Sequence, residues 1–152
     1  MTGSEDRSVT LHNPSKNIMI KHYKNLHNYD VYGLDISSDN SKFITGGGDR
    51  NIVVTDVLQA KHIRKFVGHH GRVNCVCFNS ANNVIISGSY DCTVRLWDNR
   101  SNSYDPIQTL KNFKDSVSQV KVSDFQIICG SMDGSMQFFD IRKGENIKDT
   151  IN

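Results

Sequence analysis

No apolar run in this sequence approaches the roughly 18 residues that a membrane-spanning helix needs. Charge of one sign is not in excess either. The 18 Lys and Arg against 16 Asp and Glu leave a net +2 over 152 residues, too near neutral to predict a nucleic-acid or membrane surface. The opening "MTGSEDRSVT" is polar and acidic and lacks the apolar stretch of a secretory signal. The cysteines Cys75, Cys77, Cys92 and Cys129 show no paired metal-ligand spacing. Cys75 and Cys77 share one face of a strand, but zinc would need two further ligands and none is spaced for it. Buried, reduced thiols in an intracellular chain are therefore predicted, with no metal. Helix signals are missing too, because no apolar 3.6-residue period persists beyond two turns. "TGGGD" (Thr45–Asp49) has the glycines of a phosphate loop, but such a loop needs a following helix and here a strand follows. No cofactor and no small-molecule substrate are predicted.

What the sequence does have is self-similarity. "TGSEDRSVTLHN" begins at Thr2, "TGGGDRNIVVTD" at Thr45, "SGSYDCTVRLWD" at Ser87 and "CGSMDGSMQFFD" at Cys129. The aspartates Asp6, Asp49, Asp91 and Asp133 recur at intervals of 43, 42 and 42 residues, and Gly3, Gly46, Gly88 and Gly130 keep the same step. A period in this range marks an architecture built from one repeated supersecondary unit.

The unit reads as all-β. In the third copy, Val73–Phe78, Val84–Ser89, Thr93–Asp98 and Pro106–Lys111 are short β-prone runs separated by turn-rich breaks. The first two runs are almost continuously apolar, as strands covered on both faces should be. The fourth runs are more polar, and lysines in "NIMIKHY" and "KHIRKF" suit an exposed edge. Lys61, His62, Arg64 and Lys65 on that outer run are read as a solvated face.

Four antiparallel strands per unit, with Gly68-His69 and Trp97-Asp98 in the third copy, resemble a WD40 repeat. The whole chain is similar to consecutive blades of a WD-repeat β-propeller. The resemblance implies four-stranded antiparallel blades, about three and a half of a seven-bladed ring. Residues 1–24 would end a first blade, 25–67 form a second, 68–112 a third and 113–152 a fourth. The first copy starts inside its second or third strand, and neither end has the polar cap of a stable array. The expectation is a segment of a longer propeller, or two chains completing a ring. Ser37–Val57, Arg64–Asn79 and Val117–Gly144, with an unusually short turn at Ser123-Asp124, resemble in order a narrower group. These are the WD-repeat proteins that organise mitogen-activated protein kinase cascades and also associate with the spliceosome.

By this resemblance His69, Ser87, Asp91 and Trp97 form a structural tetrad, a hydrogen-bonded chain from indole to hydroxyl to imidazole to carboxylate. Buried between strands, each of these groups must find a partner. A catalytic reading would make Ser87 a nucleophile, His69 its base and Asp91 the orienting acid. The residues recur with the repeat, however, and Ser87 lies within a strand rather than on an exposed elbow, so no catalytic residue is predicted. The second copy offers a partial tetrad, His27, Thr45 and Asp49, with Thr55 in place of the tryptophan. In the fourth copy Phe113 and Phe139 replace His and Trp, and Asp133 is expected to serve only its own turn. In the first, His12 holds the Trp position.

The resemblance also implies a partner-binding rim at the start of each first strand and just before each tetrad Asp. Carried over by position, it comprises Asp30, Tyr32, Arg72, Asn74, Tyr90, Ser118 and Met132, flanked by Gly48 and Ser116. Tyr and Arg are enriched at binding hot spots. The implied function is a non-enzymatic scaffold, cytoplasmic or nuclear, that docks proteins or peptides on this rim. Kinase-cascade or spliceosomal proteins are the expected partners. The alternatives are a substrate-recognition or other complex-assembly subunit and, less favoured, an RNA-binding module or a hydrolase.

Overall fold

Because β-branched and aromatic residues dominate the repeated runs, each run pairs with its neighbour in the chain, and the protein is all-β. The computed structural model describes residues 1–123, 125–142 and the backbone of 146–151. Asp124 of the expected short turn, and 143–145 and 152 of the expected fourth blade, lie outside the described residues. Among the described residues there is no helix.

The chain forms four antiparallel sheets in succession. The first holds β1 (Thr2–Gly3), β2 (Val9–Asn13) and β3 (Ile18–Tyr23). The second holds β4 (Val31–Ile36), β5 (Lys42–Gly47), β6 (Asn51–Asp56) and β7 (His62–Val67). The third holds β8 (Val73–Phe78), β9 (Val84–Ser89), β10 (Val94–Asp98) and β11 (Gln108–Leu110). The fourth holds β12 (Val117–Ser123), β13 (Gln126–Ser131), β14 (Met136–Asp140) and β15 (Asn146–Ile151). Strands are ordered within each sheet as in the chain, the arrangement of a propeller blade.

Two strands of the third copy differ from the sequence reading. β10 starts one residue later because Thr93 is drawn into the preceding turn, its N–H donating to Asp91 Oδ1 at 3.1 Å. β11 starts later than Pro106, which has no N–H to give the ladder, and ends at Leu110, one residue before Lys111. The turn itself is common to all four copies. Arg7, Arg50, Cys92 and Gly134 follow the repeated aspartates and all take the left-handed conformation, with φ of 69°, 66°, 61° and 84°. Only the last is glycine, so the other three hold a conformation that costs a side-chain-bearing residue on the order of 1 kcal/mol.

Apolar cores lie between the sheets. Val9, Tyr23, Val31 and Phe43 fill the first interface, and Ile44, Phe66, Val73, Val76 and Trp97 the second. Cys75, Cys77, Val117, Cys129 and Phe139 belong to the third. Burial pushes the Cys75 and Cys77 thiols up to about 12, which keeps them protonated and inert. Each interface is keyed in the same way. A valine opening one sheet's inner strand sits against a glycine of the sheet before it. A Cβ at Gly88 would lie 2.6 Å from Val117 Cγ1, and one at Gly46 2.6 Å from Val73 Cγ1.

Gly88→Ala should therefore force the third and fourth sheets apart and cost about 1–3 kcal/mol, seen as a lower urea midpoint. An unchanged midpoint would mean that these sheets do not pack this closely.

Candidate functional site

The lone tryptophan cannot be buried on β10 unless its indole N–H is satisfied, and the third sheet is arranged to satisfy it. Trp97 Nε1 donates to Ser87 Oγ at 2.8 Å. Ser87 Oγ lies 2.7 Å from His69 Nε2, and His69 Nδ1 lies 2.9 Å from Asp91 Oδ2. The carboxylate can only accept, so Nδ1 carries the imidazole proton and Nε2 accepts from the serine hydroxyl. Serine, histidine and aspartate thus have the distances of a hydrolytic triad. The serine cannot act as one, because Ser87 and Trp97 are fully buried and the indole occupies the acceptor side of the oxygen that would attack. In this chain the triad geometry serves as a brace.

The electrostatics agree. Burial disfavours the His69 imidazolium and outweighs the pull of Asp91, lowering its pKa below 6.5. Burial would raise the Asp91 carboxyl, but hydrogen bonds from His69, Thr93 and the His70 N–H outweigh that and hold it well below the usual range. Asp49 behaves alike, with burial opposed by His27, Asn51 and the Asn28 N–H.

The second sheet keeps part of the brace. His27 joins Asp49 Oδ1 at 2.8 Å and Thr45 Oγ1 at 2.7 Å. Thr55 stands in the tryptophan's place, and its buried hydroxyl has no partner. In the fourth sheet the substitutions are matched: Phe113 and Phe139 pack with ring centroids 6.1 Å apart, and buried Cys129 takes the serine's position. Asp133 does more than serve its own turn. It accepts from Ser135 N at 2.8 Å but also from Lys114 N at 3.0 Å, so it ties in the incoming chain as Asp91 does through His70 N at 2.9 Å. In the first sheet Thr2 Oγ1 and His12 Nε2 are 3.3 Å apart, a remnant of the indole–hydroxyl leg.

At one end of the sheets, Tyr32, Arg72 and Tyr90 converge. The Arg72 guanidinium lies between the two rings, 5.2 Å from each centroid, and Arg72 Nε donates to Asn74 Oδ1 at 3.1 Å. Tyr32 donates to Asp30 Oδ2 at 3.2 Å. Asn74 is half-buried; its Nδ2 donates to Ser116 Oγ and Val117 O, both at 2.8 Å, so it braces the third sheet against the fourth. Ser118 donates to Gly130 O at 3.1 Å, and Met132 is exposed. A cleft of about 430 Å³ joins Arg72, Asn74, Tyr90, Ser118 and Met132 to Asp115. Asp30 and Tyr32 lie on the other side of Arg72, outside it.

Three roles escape the sequence reading. Thr93 bonds Asp91 through both N–H and hydroxyl, and the recurrence of Ser8, Asn51 and Ser135 two residues after each aspartate signals it. Asp115 stands where the third copy has Gly71, each accepting through its backbone oxygen from the serine of β13 or β9 at 3.2 Å, so no side chain at that position marks it. Arg64 leaves the solvated face expected for its cluster and clasps the next sheet's long loop, donating to Asp98 O at 3.1 Å and Ser103 O at 2.9 Å. Among the described residues no cluster of His, Cys, Asp or Glu suits a metal ion.

The profile of the WD domain, G-beta repeat family matches residues 20–56 and 60–98. The chain is 27% identical to a WD repeat domain-containing protein 83 homolog of Dictyostelium discoideum, over 99% of this chain and 55% of that protein. It is 35% identical to a guanine nucleotide-binding protein subunit beta of Zea mays, over 74% of this chain and 32% of that one. It is 44% identical to a serine-threonine kinase receptor-associated protein of Dictyostelium discoideum, over 45% of this chain and 24% of that one. The chain thus spans about half the length of the first of these relatives and less of the others.

Ser87→Ala should leave indole and imidazole unpaired and cost about 1–3 kcal/mol, whereas Thr55→Val removes an orphaned hydroxyl and should stabilise by about 1 kcal/mol. Urea titrations of the two variants, moving the midpoint in opposite directions, check this. Stability should also depend on pH. His69 and both aspartates bind protons less readily folded than unfolded, so stability falls with acid. The fall should begin as pH drops through about 6.5, where unfolded His69 protonates, and steepen below about 4, where the unfolded carboxylates do. Midpoints that are level from pH 7 to 5 would contradict the buried neutral imidazole.

Proposed function

The chain belongs to the WD-repeat family, and from that premise we propose that it is a non-enzymatic scaffold whose Tyr32–Arg72–Tyr90 rim docks other proteins. The observation that carries this reading is the contrast between two polar clusters. In the one with catalytic distances, Ser87–His69–Asp91, the serine and the histidine are buried. The other presents two half-exposed tyrosines around an arginine, side chains that dominate protein–protein hot spots. The partners are members of a mitogen-activated protein kinase cascade or of pre-mRNA splicing complexes, and the protein works with them in the cytoplasm or the nucleus. What supports these partners is the likeness of Ser37–Val57, Arg64–Asn79 and Val117–Gly144 to the organizers of such cascades. A further support is similarity to a protein named for association with a serine-threonine kinase receptor.

Affinity purification of the tagged full-length protein should recover kinase-cascade or spliceosomal proteins. Recovery should fall at least about tenfold in Tyr90→Ala and Arg72→Ala, a loss typical of hot-spot truncation. Equal recovery from wild type and both variants would refute the rim.

A further inference from the structure

We propose that the cleft between the third and fourth sheets binds an extended peptide carrying an acidic side chain for Arg72 and a basic one for Asp115. This deepens the rim reading by naming the chemistry of its partner.

Arg72 is held for such a role. Stacking between Tyr32 and Tyr90 and the bond from Nε to Asn74 fix its plane. Among the described residues no carboxylate lies within salt-bridge distance of it. A guanidinium fixed in this way still has its terminal N–H groups to offer, and their fork matches a carboxylate. Little side-chain freedom remains to be lost on binding. Across the cleft, Asp115 is exposed; among the described residues its carboxylate accepts only from Ser116 N, at 2.6 Å, and no cation is paired to it. Exposed Tyr90 and Met132 supply apolar surface beside these two charges.

The same features argue for a peptide over other ligands. The walls stand open to solvent, so a small zwitterion would bury too little of its surface to be held. Nucleic acid fits poorly, because Asp115 and Asp30 repel phosphate. Arg72 already covers one face of each tyrosine on which a base would stack.

The test is binding of the labelled full chain to acetylated, amidated heptapeptide pools, with the central residue fixed as Glu, Gln or Lys and the flanks randomised. The Glu pool should be retained at least about tenfold over the Gln pool, the worth of one charge-assisted contact. Recovered flanks should be enriched in Lys and Arg. Arg72→Gln should abolish the preference for Glu, and Asp115→Asn the enrichment in the flanks, while both variants keep the wild-type fluorescence of buried Trp97. Equal retention of the Glu and Gln pools would overturn the proposal, as would a Glu preference that survives Arg72→Gln. Displacement of the peptides by free glutamate or oligouridylate at equal concentration would overturn it too. If the pools show no preference while partner recovery still depends on Tyr90 and Arg72, this inference fails and the rim reading stands.

Discussion

A four-stranded sheet of this kind has two apolar faces and cannot bury either by itself, so each sheet here exists only by leaning on the next. The contact that makes this possible is close. Where Val73 meets Gly46 and Val117 meets Gly88, no room remains for even a methyl group on the glycine. Backbones brought so near leave little freedom in how one sheet is rotated on its neighbour. The inner strands are then cross-tied by polar bonds, from Phe78 N to Asp35 Oδ2 and from Asn74 Nδ2 to Val117 O, each at 2.8 Å. Glycine sets the distance, and Asp35 and Asn74 set the register.

The buried polar quartet follows from this packing. Once the sheets close, any hydroxyl, imidazole or indole between strands has lost water and must be paired internally. The third sheet pairs all of them. The fourth replaces imidazole, hydroxyl and indole together by Phe113, Cys129 and Phe139, and so has no quartet left to pair. The second does neither completely, which is why Thr55 is left with an unpartnered hydroxyl. A scaffold braced inside in this way keeps its end surfaces rigid, and a rigid surface can hold a guanidinium between two rings without help from a ligand.

Periodicity made the fold legible. Four aspartates at one step located four hairpins, and apolar runs of five or six residues located their strands. The reading lost accuracy where a side chain competed with the ladder, at Thr93, or where a donor was missing, at Pro106. The site was legible in a different measure. Which of His69, Ser87, Asp91 and Trp97 meet was implied by the resemblance to a WD repeat, carried over position by position. Arg64 reaches a loop 34 to 39 residues further on, and Arg72 stacks on rings from two different sheets. Contacts between units leave no periodic trace within one unit. Asp115 has only Gly71 as its counterpart, and a glycine gives no sign of a carboxylate there.

Central to all of this is the claim that the quartet around Trp97 is closed internal bracing. Hydrogen exchange of the Trp97 indole proton, a single resonance because the chain has one tryptophan, tests it most directly. The account predicts exchange as slow as the slowest strand amides, occurring only when the chain unfolds globally. An indole proton that exchanges at the rate of surface loop amides would place Ser87 within reach of solvent and contradict it.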